Sequence, residues 1–247
     1  MKNVNLIHLF VLLITLSRIT DGIAQQCEQM IFFQKGANYE MESYNGKDKK
    51  QSKIAYTVKD ISSDKQGTTA KVHTAIYDNK DKLTNETELK MICSGDKIML
   101  DMSEMFKSIQ SKSAGGADNF EIDIQGSMIE IPKNMTIGQS LPDMVTTMIL
   151  KDKSSKNEMM KMTITTSQRI VEAKEKLTTP AGTFDTYKIS YQTFVESAMM
   201  MMDMKLPSHT LKGILYFSDY VGMVKTVELD KKGEEVKSYT LLTKYSK

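Results

Sequence analysis

Side chains suited to acid–base or nucleophilic chemistry are scarce in this sequence. Past residue 24 the only histidines are His73 and His209, and Ser208 directly precedes His209. A serine nucleophile and its histidine base must meet through space in a fixed geometry, so this adjacency has little value. The sequence contains no Gly-x-Ser-x-Gly elbow, no phosphate-binding glycine loop and no His-Glu-x-x-His zinc helix. We therefore expect no enzymatic activity, no catalytic residue and no cofactor.

Carboxylates are abundant, but their pattern is typical of solvated surface. They alternate with lysines on faces predicted to be exposed, so paired glycosidase acids are not expected. The remaining enzymatic alternative is a hydrolase that has His209 or an acid pair inside a cleft. The whole chain carries 33 basic and 31 acidic side chains. This nearly neutral, interspersed charge argues against nucleic acid as a partner and against strong electrostatic docking on anionic lipid.

Methionine is the residue type whose use is most unusual, with 20 in 247 residues and no tryptophan. Met199 to Met202 and Met204 form a dense run, and thioethers are soft ligands for Cu(I). Four consecutive residues cannot all face one ion, however, and no histidine or cysteine lies nearby in the sequence. We expect no metal site here. Apolar packing or the lining of a ligand site explains the run better.

A second methionine-rich region covers neighbouring predicted strands. Met144 and Met148 fall on one face of a strand, whereas Val145 and Ile149 fall on the other. A strand that is apolar on both sides either lies between two layers or forms one wall of an apolar cavity. Structural core is one interpretation, and a groove for a hydrophobic ligand is the other. The residues predicted to line the groove are Met144, Met148, Met160, Met162, Met200 and Met202.

Alternation of apolar and polar residues with a period of two dominates the chain. Such segments are typical of antiparallel strands with one side in the core and one in solvent. The residues predicted to share a face are Ile54, Tyr56 and Val58; Ala70, Val72, Thr74 and Ile76; Leu89, Met91 and Cys93; Phe120, Ile122 and Ile124; and Tyr187, Ile189, Tyr191, Thr193 and Val195.

Polar turns connect these segments. Asn45–Lys49, Asp78–Lys82 and Asp230–Glu234 are versions of one Asn/Asp-led turn, which predicts hairpins. A single short α-helix is predicted near residues 102–110, where apolar residues recur at i, i+3, i+4 and i+7. Asp101 can cap its first turn. No break is long enough to be a clear linker between domains.

The first 24 residues have the three-part layout of a secretory signal peptide. Lys2 is followed by an almost unbroken apolar run from Leu6 to Leu16, and Gly22 and Ala24 put small residues at a plausible cleavage site. The run is shorter than the roughly 20 residues that span a bilayer. We expect a signal peptide over 1–24 and a single β-rich domain over 25–247, periplasmic or secreted. No stable membrane anchor is expected, because the residues before Cys27 lack a lipidation pattern.

The chain contains two cysteines, Cys27 and Cys93. In an oxidising compartment an even pair most often forms one disulfide, although two separate buried thiols are the alternative. Closing a loop of this length would stabilise the fold by about 4 kcal/mol in the chain-entropy model.

One segment resembles a known family. Thr178–Phe184, with Tyr187–Ile189 after it, is similar to the signature of TapB-like exported proteins of unknown function from Gram-negative bacteria. These are related to domain-of-unknown-function family 3108. Further matches are Cys27, the segment 137–143 and Val221–Lys225. The resemblance covers essentially all of residues 27–247. Relatives often have a cysteine where this chain has Thr186, so Cys27 and Cys93 are left as the candidates to pair.

The family signature itself has a structural interpretation. Pro180 fixes φ, Gly182 allows a left-handed backbone and Phe184 anchors the entering strand, so the motif predicts a tight turn before a strand. The resemblance also implies a fold like the half-barrels of periplasmic lipoprotein carriers. That likeness would provide a concave sheet for an acyl chain or a similar apolar guest. It is an analogy at the level of the fold, and it transfers no ligand-contacting residue.

These observations together predict an all-β, mainly antiparallel fold: a curved sheet or open half-barrel with one short helix. The leading functional hypothesis is non-enzymatic binding of a hydrophobic or lipid-like cell-envelope ligand on a concave methionine-rich face. The alternative is a structural or adaptor protein that binds another envelope protein.

Overall fold

The described part of the chain is built almost entirely from β-strands. A computed structural model describes residues 29–65, 67–101, 103–104, 119–126 and 128–247. Short 3-10 turns cover Ile31–Phe33 and Met200–Met202. The strands are β1 Asn38–Asn45, β2 Lys50–Asp64, β3 Gly67–Asp78, β4 Leu83–Ser94, β5 Lys97–Asp101, β6 Phe120–Gln125, β7 Met128–Pro132, β8 Ser140–Leu141, β9 Met144–Asp152, β10 Glu158–Thr179, β11 Gly182–Met199, β12 Met204–Lys205, β13 His209–Ser218, β14 Gly222–Leu229 and β15 Val236–Ser246.

These strands form one 15-stranded sheet in the described residues, and every pairing is antiparallel. Its order is β6-β9-β10-β11-β13-β14-β15-β1-β2-β3-β4-β5-β7, with β8 paired to β10 and β12 to β11. The predicted all-β antiparallel fold is therefore confirmed. The first strand lies beside the last, because β1 pairs with β15.

The three polar turns connect hairpins as predicted. The side chain of the first residue organises each turn: Asn45 Oδ1 accepts backbone hydrogen bonds from Lys47 and Lys49, both at 3.0 Å. Asp78 Oδ1 does the same for the amides of the residues two and four positions later, at 2.8 and 2.9 Å. Asp230 Oδ1 likewise accepts from Gly233 at 2.8 Å. Asn and Asp favour such turns because their short side chains reach the local backbone.

The apolar side of each predicted strand faces one common core. Val58 opposes Val72, which in turn opposes Leu89, and these side chains are 1%, 0% and 4% exposed. On the other side of the sheet's middle, Ile189 of β11 is buried opposite Val171 of β10. We call this side of the sheet the inner face. The outer face carries most of the lysines and carboxylates, as the alternation predicts.

A short N-terminal segment fills part of the inner face. Met30, Ile31, Phe32 and Phe33 are all at most 5% exposed. The ring of Phe32 meets the ring of Tyr39 edge to face, with a centroid distance of 4.4 Å. The backbone amide of Ile31, the residue before Phe32, donates a 2.9 Å hydrogen bond to the Tyr220 carbonyl in the β13–β14 turn. We call residues 30–33 the plug.

A buried arginine joins strands from opposite ends of the sheet order. Arg169 of β10 is 3% exposed, and its guanidinium donates to the Glu130 carbonyl of β7 at 2.9 Å. It also donates to the Pro142 carbonyl at 2.8 Å. β7 is the last strand of the order and β10 is the third, so the sheet must curl for these atoms to meet. Next to this contact, the Gly138 amide donates to the Val171 carbonyl at 2.7 Å.

The family-like segment forms the hairpin between β10 and β11. Thr179 pairs with Gly182 across a two-residue turn, and Gly182 has a φ of +135°. Phe184 is 7% exposed and contacts the ring of Tyr245 with a centroid distance of 5.7 Å. The predicted tight turn and anchoring phenylalanine are confirmed. The motif has a packing role.

Several predictions fall outside the described residues. The predicted helix over 102–110 is described only at Ser103 and Glu104, which are helical. Asp101 accepts the expected hydrogen bond from the Ser103 amide at 3.0 Å. The signal peptide over 1–24 and Cys27 also lie outside. Cys93 is 1% exposed and is not a free thiol, and its pairing with Cys27 stays a prediction. No helix among the described residues is long and apolar enough to cross a membrane.

The arginine contact yields a stability prediction. We expect Arg169→Met to lower the free energy of unfolding by about 2–4 kcal/mol, because it removes two buried hydrogen bonds from a charged donor. Urea denaturation measures the change. Lys176→Met, an exposed position in the same strand, is the matched control and should change stability by no more than about 0.5 kcal/mol. An unchanged urea midpoint for Arg169→Met would show that the sheet does not need this contact.

The plug yields a second prediction, based on two glycines with left-handed backbone. Gly36 has a φ of +86° and open space around an added Cβ, so Gly36→Ala should cost only the backbone term, about 1–2 kcal/mol. Gly222 has a φ of +74°, and an added Cβ would overlap the Phe32 ring. Gly222→Ala should therefore cost about 1–3 kcal/mol more than Gly36→Ala in urea denaturation. Equal losses for the two variants would mean that Phe32 is not seated where the structure has it.

Candidate functional site

The inner face is divided into a filled part and an open part. Around the plug, residues such as Tyr39, Met41 and Leu242 are at most 5% exposed. Towards the far ends of β9, β10 and β11, the inner-face side chains become half-buried. The open part is the candidate site, because an apolar sheet face that no other described residue covers is available to a ligand.

Strand register places most of the predicted methionines together on this open part. Met148 of β9 lies opposite Met162 of β10 and opposite Ile124 of β6. One step further along, Met160 lies opposite Leu150 and, on its other side, Met199. We call this surface the methionine face. Its side chains, all half-buried, are Ile122, Ile124, Met144, Met148, Leu150, Met160, Met162, Ile164, Val195 and Met199.

The other two predicted ligand residues lie elsewhere. Met200 and Met202 belong to a 3-10 turn that follows β11 and ends at Asp203, whose φ is +47°. They are 41% and 69% exposed, and with Met201 and Met204 they form what we call the methionine tip. The structure therefore brings Met144, Met148, Met160 and Met162 onto one face and leaves Met200 and Met202 beyond its edge.

The apolar residues on the outer face of β9 do not require a second layer of sheet to cover them. Val145 is 50% exposed, whereas Ile149 is 7% exposed. Ile149 lies between Asp123 and Lys161 in the strand pairing. The Lys151 ammonium group bridges to the Asp123 carboxylate at 3.1 Å on the same face. Aliphatic parts of charged side chains cover apolar neighbours in this way.

A polar cavity lies beside the methionine face. Its volume is about 200 Å³, and its lining includes Tyr191, Thr193, Glu228, Ser238 and Thr240. The strand pairing puts these residues on the inner face of β11, β14 and β15. The Ser238 hydroxyl donates to Glu228 Oε2 at 2.9 Å. Carboxylate and hydroxyl groups facing one cavity can bind hydrogen-bond donors of a ligand.

Tyr191 is held in place by a glycine on the next strand. Its ring lies over Gly213, where an added Cβ would overlap the ring carbons. Burial raises the pKa of Tyr191, and the nearby Glu228 carboxylate raises it further. The phenol therefore stays protonated at neutral pH and can act as a donor or an acceptor.

A second cavity of about 510 Å³ lies at the arginine contact, with Arg169, Asp143 and Met144 in its lining. Burial lowers the pKa of Arg169, while the negative charges of Asp143 and Glu130 oppose that shift. The guanidinium already donates to two carbonyls, so its chemistry here is structural. Sequence reasoning missed this residue, since one arginine in a strand carries no signal of burial.

The histidines are not brought together. His73 lies on the outer face, with Nε2 3.2 Å from a Glu86 carboxylate oxygen. His209 is exposed at the start of β13. Neither lines the two cavities described above. Within the described ranges, no group of three or more histidine, cysteine or acidic residues is arranged to hold a metal ion.

Part of the polar cavity could be read from the sequence. The alternation of β11 puts Tyr191 on the inner face, and that of β14 puts Glu228 on the same face as the buried Val224. An inward-facing carboxylate in a strand is the available signal. What the sequence does not show is that β13 brings these two residues onto neighbouring positions, because strand order is set by long-range pairing.

Comparison with known proteins places this fold in a wider group. The structure is similar to the crystal structure of a "putative lipoprotein" from Parabacteroides distasonis, with a TM-score of 0.65 and 23% identity over 88% of this chain and 98% of that one. It is also similar to a "putative exported protein" with a YmcC-like fold from Bacteroides fragilis, with a TM-score of 0.63 and 19% identity over 87% of this chain and 97% of that one. At these identities the likeness concerns the fold alone.

No curated protein is significantly similar in sequence to this chain. The family comparison is more direct, because the DUF3108-like family matches residues 34–242. That range includes β1 to β14, most of β15 and the whole of the methionine face. The predicted resemblance is thereby confirmed. This chain belongs to the DUF3108-like family.

Proposed function

We propose that this protein is a non-enzymatic exported protein that binds a hydrophobic or lipid-like ligand of the cell envelope on its methionine face. The observation that carries the proposal is the half-buried state of all ten side chains of that face. If these ten side chains only completed the core, they would be as fully buried as Val171 and Ile189, which lie on the same face of β10 and β11.

The dimensions of the methionine face suit an extended apolar chain. From Met160 to Thr166 along β10 the face is about 20 Å long, and its four strands span about 15 Å across. Burying apolar surface here gains roughly 25 cal/mol per Å². Methionine side chains are flexible and polarizable, so they can repack around apolar guests of different shapes.

Export rests on two separate supports. The first 24 residues have the layout of a signal peptide. Two proteins of similar fold are a "putative exported protein" and a "putative lipoprotein". Both agree with a protein of the periplasm or the cell exterior, where a carrier or sequestering protein for apolar molecules has a use.

The methionine tip favours a second candidate function. Met201 and Met202 are each 69% exposed, and Met200 and Met204 are exposed beside them. Exposed apolar clusters mark surfaces that bind other proteins. An adaptor that docks on another envelope protein through the tip would leave the methionine face unoccupied, so the two functions have different residues.

Binding of the uncharged dye N-phenyl-1-naphthylamine tests the proposal. We expect a saturable rise in dye fluorescence with the intact protein. The double variant Met148→Ser/Met162→Ser should bind the dye at least about tenfold more weakly, because each truncation removes more than one methylene-sized apolar contact. Met201→Ser/Met202→Ser is the matched control on the tip and should bind as the intact protein does.

Two results would contradict the proposal: dye fluorescence that does not saturate, or equal binding by the two double variants. Native mass spectrometry of protein purified from its host envelope provides the complementary measurement. A bound lipid-sized mass that is lost in Met148→Ser/Met162→Ser supports ligand binding. A crosslinked protein partner that is lost only in the tip variant would favour the adaptor function instead.

A further inference from the structure

The polar cavity and the methionine face are continuous along β11. Thr193 lines the cavity, and Val195, two residues further on the same face, belongs to the methionine face. Leu211 of β13 also lines the cavity and pairs with Thr193. A polar pocket that opens directly onto an apolar strip has the layout that an amphiphile requires, with separate places for its head and its chain.

The charge of the cavity is negative. Glu228 supplies the carboxylate, and no ion pair joins it to any lysine, arginine or histidine in the described part of the chain. Lys212 is part of the lining, but its ammonium group donates to the Lys232 carbonyl at 3.2 Å. By strand alternation Lys212 points to the outer face, opposite to Gly213.

The cavity presents one carboxylate oxygen and one phenol hydroxyl that have no hydrogen-bond partner among the described residues. Glu228 Oε2 accepts from Ser238, which leaves Oε1 with no hydrogen bond from another described residue. Thr240 is engaged with Ser43 at 2.7 Å, and Thr193 with Thr166 at 3.2 Å. The Tyr191 hydroxyl, in contrast, has no hydrogen bond to the described residues, and Tyr191 lines the same cavity as Glu228.

We propose that the ligand is a cationic amphiphile: a head that carries an ammonium group binds between Glu228 and Tyr191, and its apolar chain lies on the methionine face. This inference rests on the proposed function and specifies the ligand class. An ammonium group supplies only donors, which match the free carboxylate oxygen, and its charge is opposite to that of Glu228. A carboxylate or phosphate head would place two negative groups together.

The cavity also has the right size for a small head. Its volume is about 200 Å³, well above the roughly 10–15 Å³ that one water molecule needs. An aminoethyl-sized group fits this space. The Tyr191 ring, fixed over Gly213, provides one wall for the methylene groups next to the ammonium.

Titration with decylamine and decanoate by calorimetry, below their micelle concentrations and near neutral pH, tests the inference. The two probes share a chain and differ in head charge. We expect decylamine to bind at least about tenfold more tightly than decanoate, the size of one charge-assisted hydrogen bond. Glu228→Gln keeps an acceptor for Ser238 and should bring the two affinities within about threefold of each other.

Two further variants complete the test. Glu234→Gln removes the same charge from an exposed turn position and should keep the preference for decylamine. Tyr191→Phe keeps the ring over Gly213 and should weaken decylamine binding by about threefold or more, with decanoate binding unchanged. Circular dichroism should show the same strand content for all three variants.

The outcomes separate the two proposals. Equal affinity for both probes, tighter binding of decanoate, or an unchanged preference in Glu228→Gln would overturn the cationic head while the dye still binds the methionine face. Failure of the dye and of both probes to bind would overturn the proposed function itself. A preference for decylamine that is lost in Glu228→Gln and kept in Glu234→Gln would support both.

Discussion

One buried guanidinium ties together strands from the two ends of this wide sheet. Arg169 joins β10 to a carbonyl of β7, although these strands lie near opposite ends of the strand order. The sheet curls so that these strands meet, and the enclosed face holds the core. Burying a charged side chain is costly, so the two carbonyl partners are part of the same constraint.

The plug determines which part of the inner face is filled by the chain. Met30 to Phe33 cover the inner face next to the β13–β14 turn, where Gly222 has no side chain and leaves room for the Phe32 ring. The chain thus fills one part of its own concavity. The methionine face is what the plug does not reach, and its half-buried side chains and the adjoining polar cavity follow from that division. The position of the site therefore depends on where the plug-covered core ends as well as on the residues of the methionine face.

The sequence predicts the local features of this protein well and its long-range features poorly. Period-two alternation identifies the inward residues of β2, β3, β4, β6 and β11, because side-chain direction in a strand is fixed by the backbone. Asn45, Asp78 and Asp230 identify three hairpins, because each residue bonds to amides within its own turn. The contact of Arg169 with Glu130 and the approach of Tyr191 to Glu228 depend on strand order, which no local pattern encodes. Met200 and Met202 show the same limit, since strand periodicity cannot tell where β11 ends and a turn begins.

The pairing of the first strand with the last has a consequence for biogenesis. Asn38 lies opposite Ser246, so the middle of the sheet order is closed by residues from the two ends of the described chain. This ladder has a very large sequence separation, and contacts of that kind form late in folding because loop closure must precede them. A ribosome-bound chain that still lacks β15 has two groups of strands that no strand pairing joins. The architecture therefore delays completion of the sheet until β15 has been synthesised.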